Sequence, residues 1–107
     1  MVAQLRAAQR HGVELRTNAN VVAQVWRDPQ GRQVNLVRLL RAVDVRPIDG
    51  DIGRKAGELL GRAQRADVID ATLVLVARAG DRIVTSDAED IRELALAAQL
   101  QVVIVAC

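Results

Sequence analysis

Two segments of the chain set acids where they could do chemistry: Asp67-Val68-Ile69-Asp70-Ala71-Thr72-Leu73, and Arg82-Ile83-Val84-Thr85-Ser86-Asp87 shortly after it. At about 100° per residue, Asp70 shares a helix face with Leu73, Val74 and Ala77, so its carboxylate is aimed at a core. An unpartnered charge there costs several kcal/mol or more, so the group must be protonated, paired or bound to a metal. Asp87 follows a short apolar run ending in Thr85, a position just past the carboxyl end of a strand where open α/β sheets bind ligands. Two acids so placed suggest a divalent-cation site.

Each acid also has a plainer use. Asp70 is equally a core carboxylate neutralised by Arg54, Arg62 or Arg65. Ser86-Asp87-Ala88-Glu89 reads as a capping box, with Ser86 as the cap and Asp87 stabilising the helix dipole from the first turn. Asp67 is the natural N-cap of its helix, yet it stands one turn from Asp70, close enough for a water-mediated role at a metal. Asp90, three residues beyond Asp87, either faces the same site or is solvated. His11 beside Gly12 at a helix end suits the helix dipole, and a single His in that position assembles no Ser/His/Asp arrangement. Gly50 and Gly80 mark turns while Gly57 and Gly61 lie within a helical pattern, so no glycine loop for phosphate is present.

The elements that must position these acids follow from periodicity. Val2 to Arg10 is rich in helix formers and stops at His11-Gly12, after which Val13–Thr17 alternates as a strand. Asn18 or Asn20 caps a helix carrying Val21, Val22, Val25 and Trp26, ended by Asp28-Pro29-Gln30-Gly31. Arg32 to Ala42 is an amphipathic helix with Leu36, Val37 and Leu40 inward. Val43–Ile48 is a second strand, followed through Asp49-Gly50 by a helix with Ile52, Ala56, Leu59, Leu60 and Ala63 on one side. The helix from Asp67 is apolar nearly all round, which predicts burial on several sides. Strand Arg82–Thr85, helix Ala88 to Gln99 and strand Gln101–Val105 complete an α/β order, in which helices between strands predict a parallel sheet covered on both faces.

Composition narrows the class. At 107 residues the chain predicts one domain with a core, and with one Trp and no Phe or Tyr that core is Val, Leu, Ile and Ala. A net charge of +2 permits contact with nucleic acid without arguing for it, since the arginines are dispersed. Cys107 is the only cysteine, so no internal disulfide forms. With no charged-then-apolar leader and no bilayer-length apolar run, a cytoplasmic protein is expected.

The segment Asp67 to Cys107 resembles the C-terminal half of a PIN domain of the VapC toxin type, where a helix opening with Asp-Ala is followed by a strand ending in Thr-Ser-Asp or Thr-Asn-Asp. Val22-Ala23-Gln24-Val25-Trp26-Arg27 and Ala56-Gly57-Glu58-Leu59-Leu60-Gly61 resemble that family's middle section. The resemblance implies a three-layer α/β/α fold with a parallel sheet, spanning residues 1–107 as a single PIN-like domain incomplete at its N-terminus. It implies a Mg²⁺- or Mn²⁺-dependent endoribonuclease with Asp70 and Asp87 as catalytic metal ligands, Asp67, Asp90 and Gln24 as weaker candidates, and Thr85 and Ser86 shaping the turn or holding water. RNA would be the substrate, an antitoxin-like protein the partner, and self-association is expected. Two departures stand out. No strand ending in the family's first Asp precedes Met1-Val2-Ala3-Gln4-Leu5, and the family's helical Glu falls on Gln24. A late start codon, a fragment or a degenerate member would each account for them, and the missing strand would be central to the sheet. The alternative to the enzyme is a catalytically degenerate PIN-like interaction protein that binds an antitoxin-like partner or itself.

Overall fold

The computed structural model describes residues 2–27 and 33–107, which fall into two compact units, Met1–Pro47 and Ile48–Cys107. Both are mixed α/β, and each carries one pair of short parallel strands.

In the first unit, α1 (Val2–Arg10) ends where Gly12 takes a φ of +77°, a left-handed turn that glycine adopts without strain. The Val13 N–H then donates to the Ala8 carbonyl at 3.0 Å, satisfying one of the orphaned carbonyls of the last turn. Strand β1 (Arg16–Asn18) leads directly into α2 (Ala19–Val25) because Asn18 serves both: its backbone completes the strand, and its Oδ1 accepts from the Val21 N–H at 3.0 Å. After α3 (Val34–Leu40), strand β2 (Asp44–Arg46) pairs in parallel with β1, with Thr17 opposite Val45. The expected turn at Asp28–Gly31 and helix start at Arg32 lie outside the described residues. Both strands are shorter than the alternation predicts. The β1 pairing begins three residues later than Val13, which is exposed, and β2 stops before Pro47, which has no N–H to give a ladder. Trp26, just past α2, is 39% exposed, so it is not the core residue its apolar face suggests.

The second unit contains the acids. Asp49 caps α4 (Gly50–Ala63) by accepting from the Ile52 N–H at 2.9 Å, and the helix ends on Gln64 at φ +54°. Next come α5 (Val68–Val76), β3 (Arg82–Thr85), α6 (Ala88–Ala97) and β4 (Val103–Ala106). Strands β3 and β4 run parallel with Ile83 opposite Ile104, as required when a helix makes the crossover between them. Ala56 and Leu59 of α4, Ala71 and Val74 of α5, Ile83 of β3, and Ile91 and Leu94 of α6 form one aliphatic core. Leu59, Ile91 and Leu94 are fully buried, each stabilising the unit by about 1.5–3 kcal/mol relative to exposure. This packing fixes the first turns of α5 and α6, where the acids stand. The all-round apolarity of α5 is only partly used: Ala71, Thr72 and Val74 are buried, whereas Val68 is 54% exposed.

Candidate metal centre

Asp67 and Asp70 are brought together by the start of α5. Asp67 is its N-cap, with Oδ1 accepting the Asp70 N–H at 3.0 Å, so the two carboxylates share one end of the helix. Capping and participation in an acid cluster are therefore compatible for Asp67. Asp70 is half-buried, and among the described residues its Oδ2 is shielded from solvent without a hydrogen-bond partner.

Asp87 arrives from the carboxyl end of β3. Its backbone N–H donates to the hydroxyl oxygen of buried Thr85 at 3.0 Å, turning the chain from strand to helix. Asp87, not Ser86, occupies the N-cap position of α6, and its side chain makes no capping hydrogen bond. The capping box expected at Ser86-Asp87-Ala88-Glu89 is thus not formed in that register, and the Asp87 carboxylate is left for the cluster. One oxygen each from Asp67, Asp70 and Asp87 lie within 4.8 Å of one another.

Three carboxylates so close cannot all ionise without cost. Burial, then the adjoining Asp87 carboxyl, then the charges of Asp67, Asp87 and Asp90 push Asp70 from its ordinary 3.8 up to about 7. Asp90 is also raised, by desolvation first and then by Asp87, with Arg65 opposing. Asp70 therefore keeps its proton to higher pH than an ordinary aspartate, and a cation bound there would displace it. With one oxygen of each within 4.8 Å of the others, the three acids could share a hard divalent cation, and the spacing singles out no particular ion. Such a cation lowers the pKa of a bound water and neutralises charge developing on a phosphoryl oxygen.

Of the three arginines that the sequence offers as neutralisers of Asp70, Arg65 goes elsewhere. Arg65 Nη1 pairs with Asp90 Oδ1 at 3.0 Å, with both side chains about one-third exposed (34% and 30%). Asp90 is therefore an ion-pair partner beside the cluster and not one of its three acids. No periodicity signals this pair, because its members belong to different elements. Gln24 is exposed on α2 of the Met1–Pro47 unit, whereas all three clustered acids belong to the Ile48–Cys107 unit. No helix among the described residues is long and apolar enough to cross a membrane. In comparisons with known proteins, no family model, curated protein or solved structure matches the chain.

Proposed function

We propose that the chain is a metal-dependent endoribonuclease of the PIN, VapC-like type, in which Asp70 and Asp87, assisted by Asp67, hold Mg²⁺ or Mn²⁺. The observation that carries this reading is the convergence of Asp70 and Asp87 from two different elements, with a buried Asp70 oxygen that meets no donor among the described residues. A carboxylate set is the donor chemistry that hard divalent cations prefer. When bound, such a cation supplies an acidified water and charge neutralisation at the scissile phosphate. Asp70 and Asp87, from α5 and from the end of β3, would hold the cation, Asp70 would orient the water it acidifies or take up its proton, and Thr85 holds the turn that presents Asp87. Dispersed arginines position the RNA backbone by charge without reading bases.

The finer architecture belongs to the same proposal. In a three-layer PIN-like sheet a further, central parallel strand ending in an Asp would supply another acid. Open strand edges also favour pairing with a second copy or with an antitoxin-like protein in the cytoplasm.

A second reading, a degenerate PIN-like interaction protein, draws on a different observation: Ala95, Leu96, Leu100, Val102 and Ile104 line an apolar groove between α6 and β4, with Leu96 66% exposed. The test is cleavage of a labelled single-stranded RNA with Mg²⁺ or Mn²⁺, with chelator and with Asp70→Asn. Metal-dependent cleavage lost in the variant supports the nuclease. Absence of cleavage together with Mn²⁺ affinity unchanged by Asp70→Asn sinks it and leaves the interaction reading.

A further inference from the structure

Arg65 is held in place more firmly than a surface arginine usually is. Its backbone N–H donates to the Leu60 carbonyl at 3.1 Å, closing the end of α4 around the left-handed Gln64. Its side chain then reaches the first turn of α6, where Nη1 meets Asp90 Oδ1 at 3.0 Å. Asp90 is three residues from Asp87, one turn along the same helix, so the guanidinium stands at the margin of the acid cluster.

The form of this ion pair suggests a purpose beyond tethering two helices. A guanidinium carries five N–H donors in a planar fork matched to two oxygens of a carboxylate or phosphate. Among the described residues, Arg65 makes one side-chain hydrogen bond, through Nη1, and about a third of the side chain is open to solvent. A partly exposed pair of this kind contributes little to stability. It does keep a cation on Asp90, one turn along α6 from Asp87, on the approach a phosphodiester would take to the acids.

We infer that Arg65 is the substrate-positioning residue of the proposed nuclease: its guanidinium exchanges Asp90 for a phosphate of single-stranded RNA next to the scissile bond. Asp90 then acts as a place-holder that competes with the substrate for Arg65. This inference rests on the ribonuclease reading, and adds to it the group that binds the substrate anion.

The two members of the pair should have opposite effects, which a merely structural ion pair would not produce. Cleavage of a labelled single-stranded RNA in Mn²⁺ is measured for the native chain, Arg65→Gln, Arg65→Lys, Asp90→Asn and the double variant, with Mn²⁺ affinity by calorimetry for each. Arg65→Gln raises KM about tenfold while kcat changes by less than about threefold. Its Mn²⁺ affinity stays unchanged, and Arg65→Lys falls between because it restores charge without the fork. Asp90→Asn lowers KM, and this gain disappears in the Arg65→Gln background. Equal-direction shifts for Arg65→Gln and Asp90→Asn, an unchanged KM for Arg65→Gln, or a gain from Asp90→Asn that survives without Arg65 would each overturn the assignment while leaving the nuclease standing. A native chain that shows no Mn²⁺-dependent cleavage removes the nuclease reading, and this inference with it.

Discussion

Asp70 and Asp87, one in the first turn of α5 and the other at the N-cap of α6, carry carboxylate oxygens within 4.8 Å of each other, with Asp67 completing the group. A helix cap, an apolar helix face and a strand-to-helix turn each deliver one acid to this point. Cation affinity should therefore depend on Asp70 and Asp87 and be indifferent to charges elsewhere on α6. Asp70→Asn and Asp87→Asn should each weaken Mn²⁺ binding by about tenfold or more, while Arg92→Gln, on the groove side of α6, should leave it within about twofold. Isothermal calorimetry checks this, and equal loss in all three variants would refute it.

If Asp70 is a cation ligand, proton and metal must compete for it. Since this carboxyl titrates near 7, Mn²⁺ binding should tighten as pH rises from 6 to 8 and should release up to about one proton per ion at the lower end. Calorimetry in buffers of different ionisation enthalpy counts that proton. Affinity independent of pH across this interval would mean that Asp70 is not a ligand.

The same group makes the metal-free protein less stable in base. Its folded pKa of about 7 lies above the ordinary 3.8, so the folded chain holds the proton more tightly. The stability this provides is fully present below the lower value and is lost as pH rises through the upper one. At pH 8 without metal, Asp70→Asn should therefore stabilise the chain by about 1–2 kcal/mol, after discounting for solvent screening. Below the lower value it should have little effect. Urea titrations at the two extremes give the sign directly.

Leu59→Ala or Ile91→Ala should cost about 2–5 kcal/mol, because each side chain is fully buried in the aliphatic core that seats α5 and α6. Either change should also loosen Mn²⁺ binding, although neither residue is an acid. Chemical denaturation and calorimetry on one preparation test both effects. A core variant that loses stability but retains native Mn²⁺ affinity would mean that the acids hold their geometry without the core.

The parts of the site governed by local rules were legible in the sequence. Asp67 before an apolar run reads as a cap, and it is one; Asp70 and Asp87 read as converging, and one oxygen of each lies within 4.8 Å of the other. The turn lies one residue from where Ser86 suggests it, because Thr85 also has a hydroxyl, and it is Thr85 that accepts the Asp87 N–H. The Arg65–Asp90 pair was not legible, since nothing in either local pattern says which of several arginines reaches which acid across two helices. Strand ends moved for similar reasons. Pro47 stops a ladder that the alternation would continue, and Asn18 extends one by also capping a helix. The parallel sense of both pairs follows from the intervening helices, but alternation alone did not divide the strands into two pairs.

Trp26 is the sole tryptophan in a chain without Tyr or Phe, and it belongs to the Met1–Pro47 unit. Intrinsic fluorescence is therefore a reporter on that unit, and the acid-bearing unit is optically silent in the near ultraviolet. Amide circular dichroism, by contrast, follows the helices of both. A denaturation curve recorded by emission and another recorded by ellipticity will coincide only if the two halves melt as one cooperative body. Any separation between them shows that the acid-bearing half unfolds independently of the unit that carries Trp26.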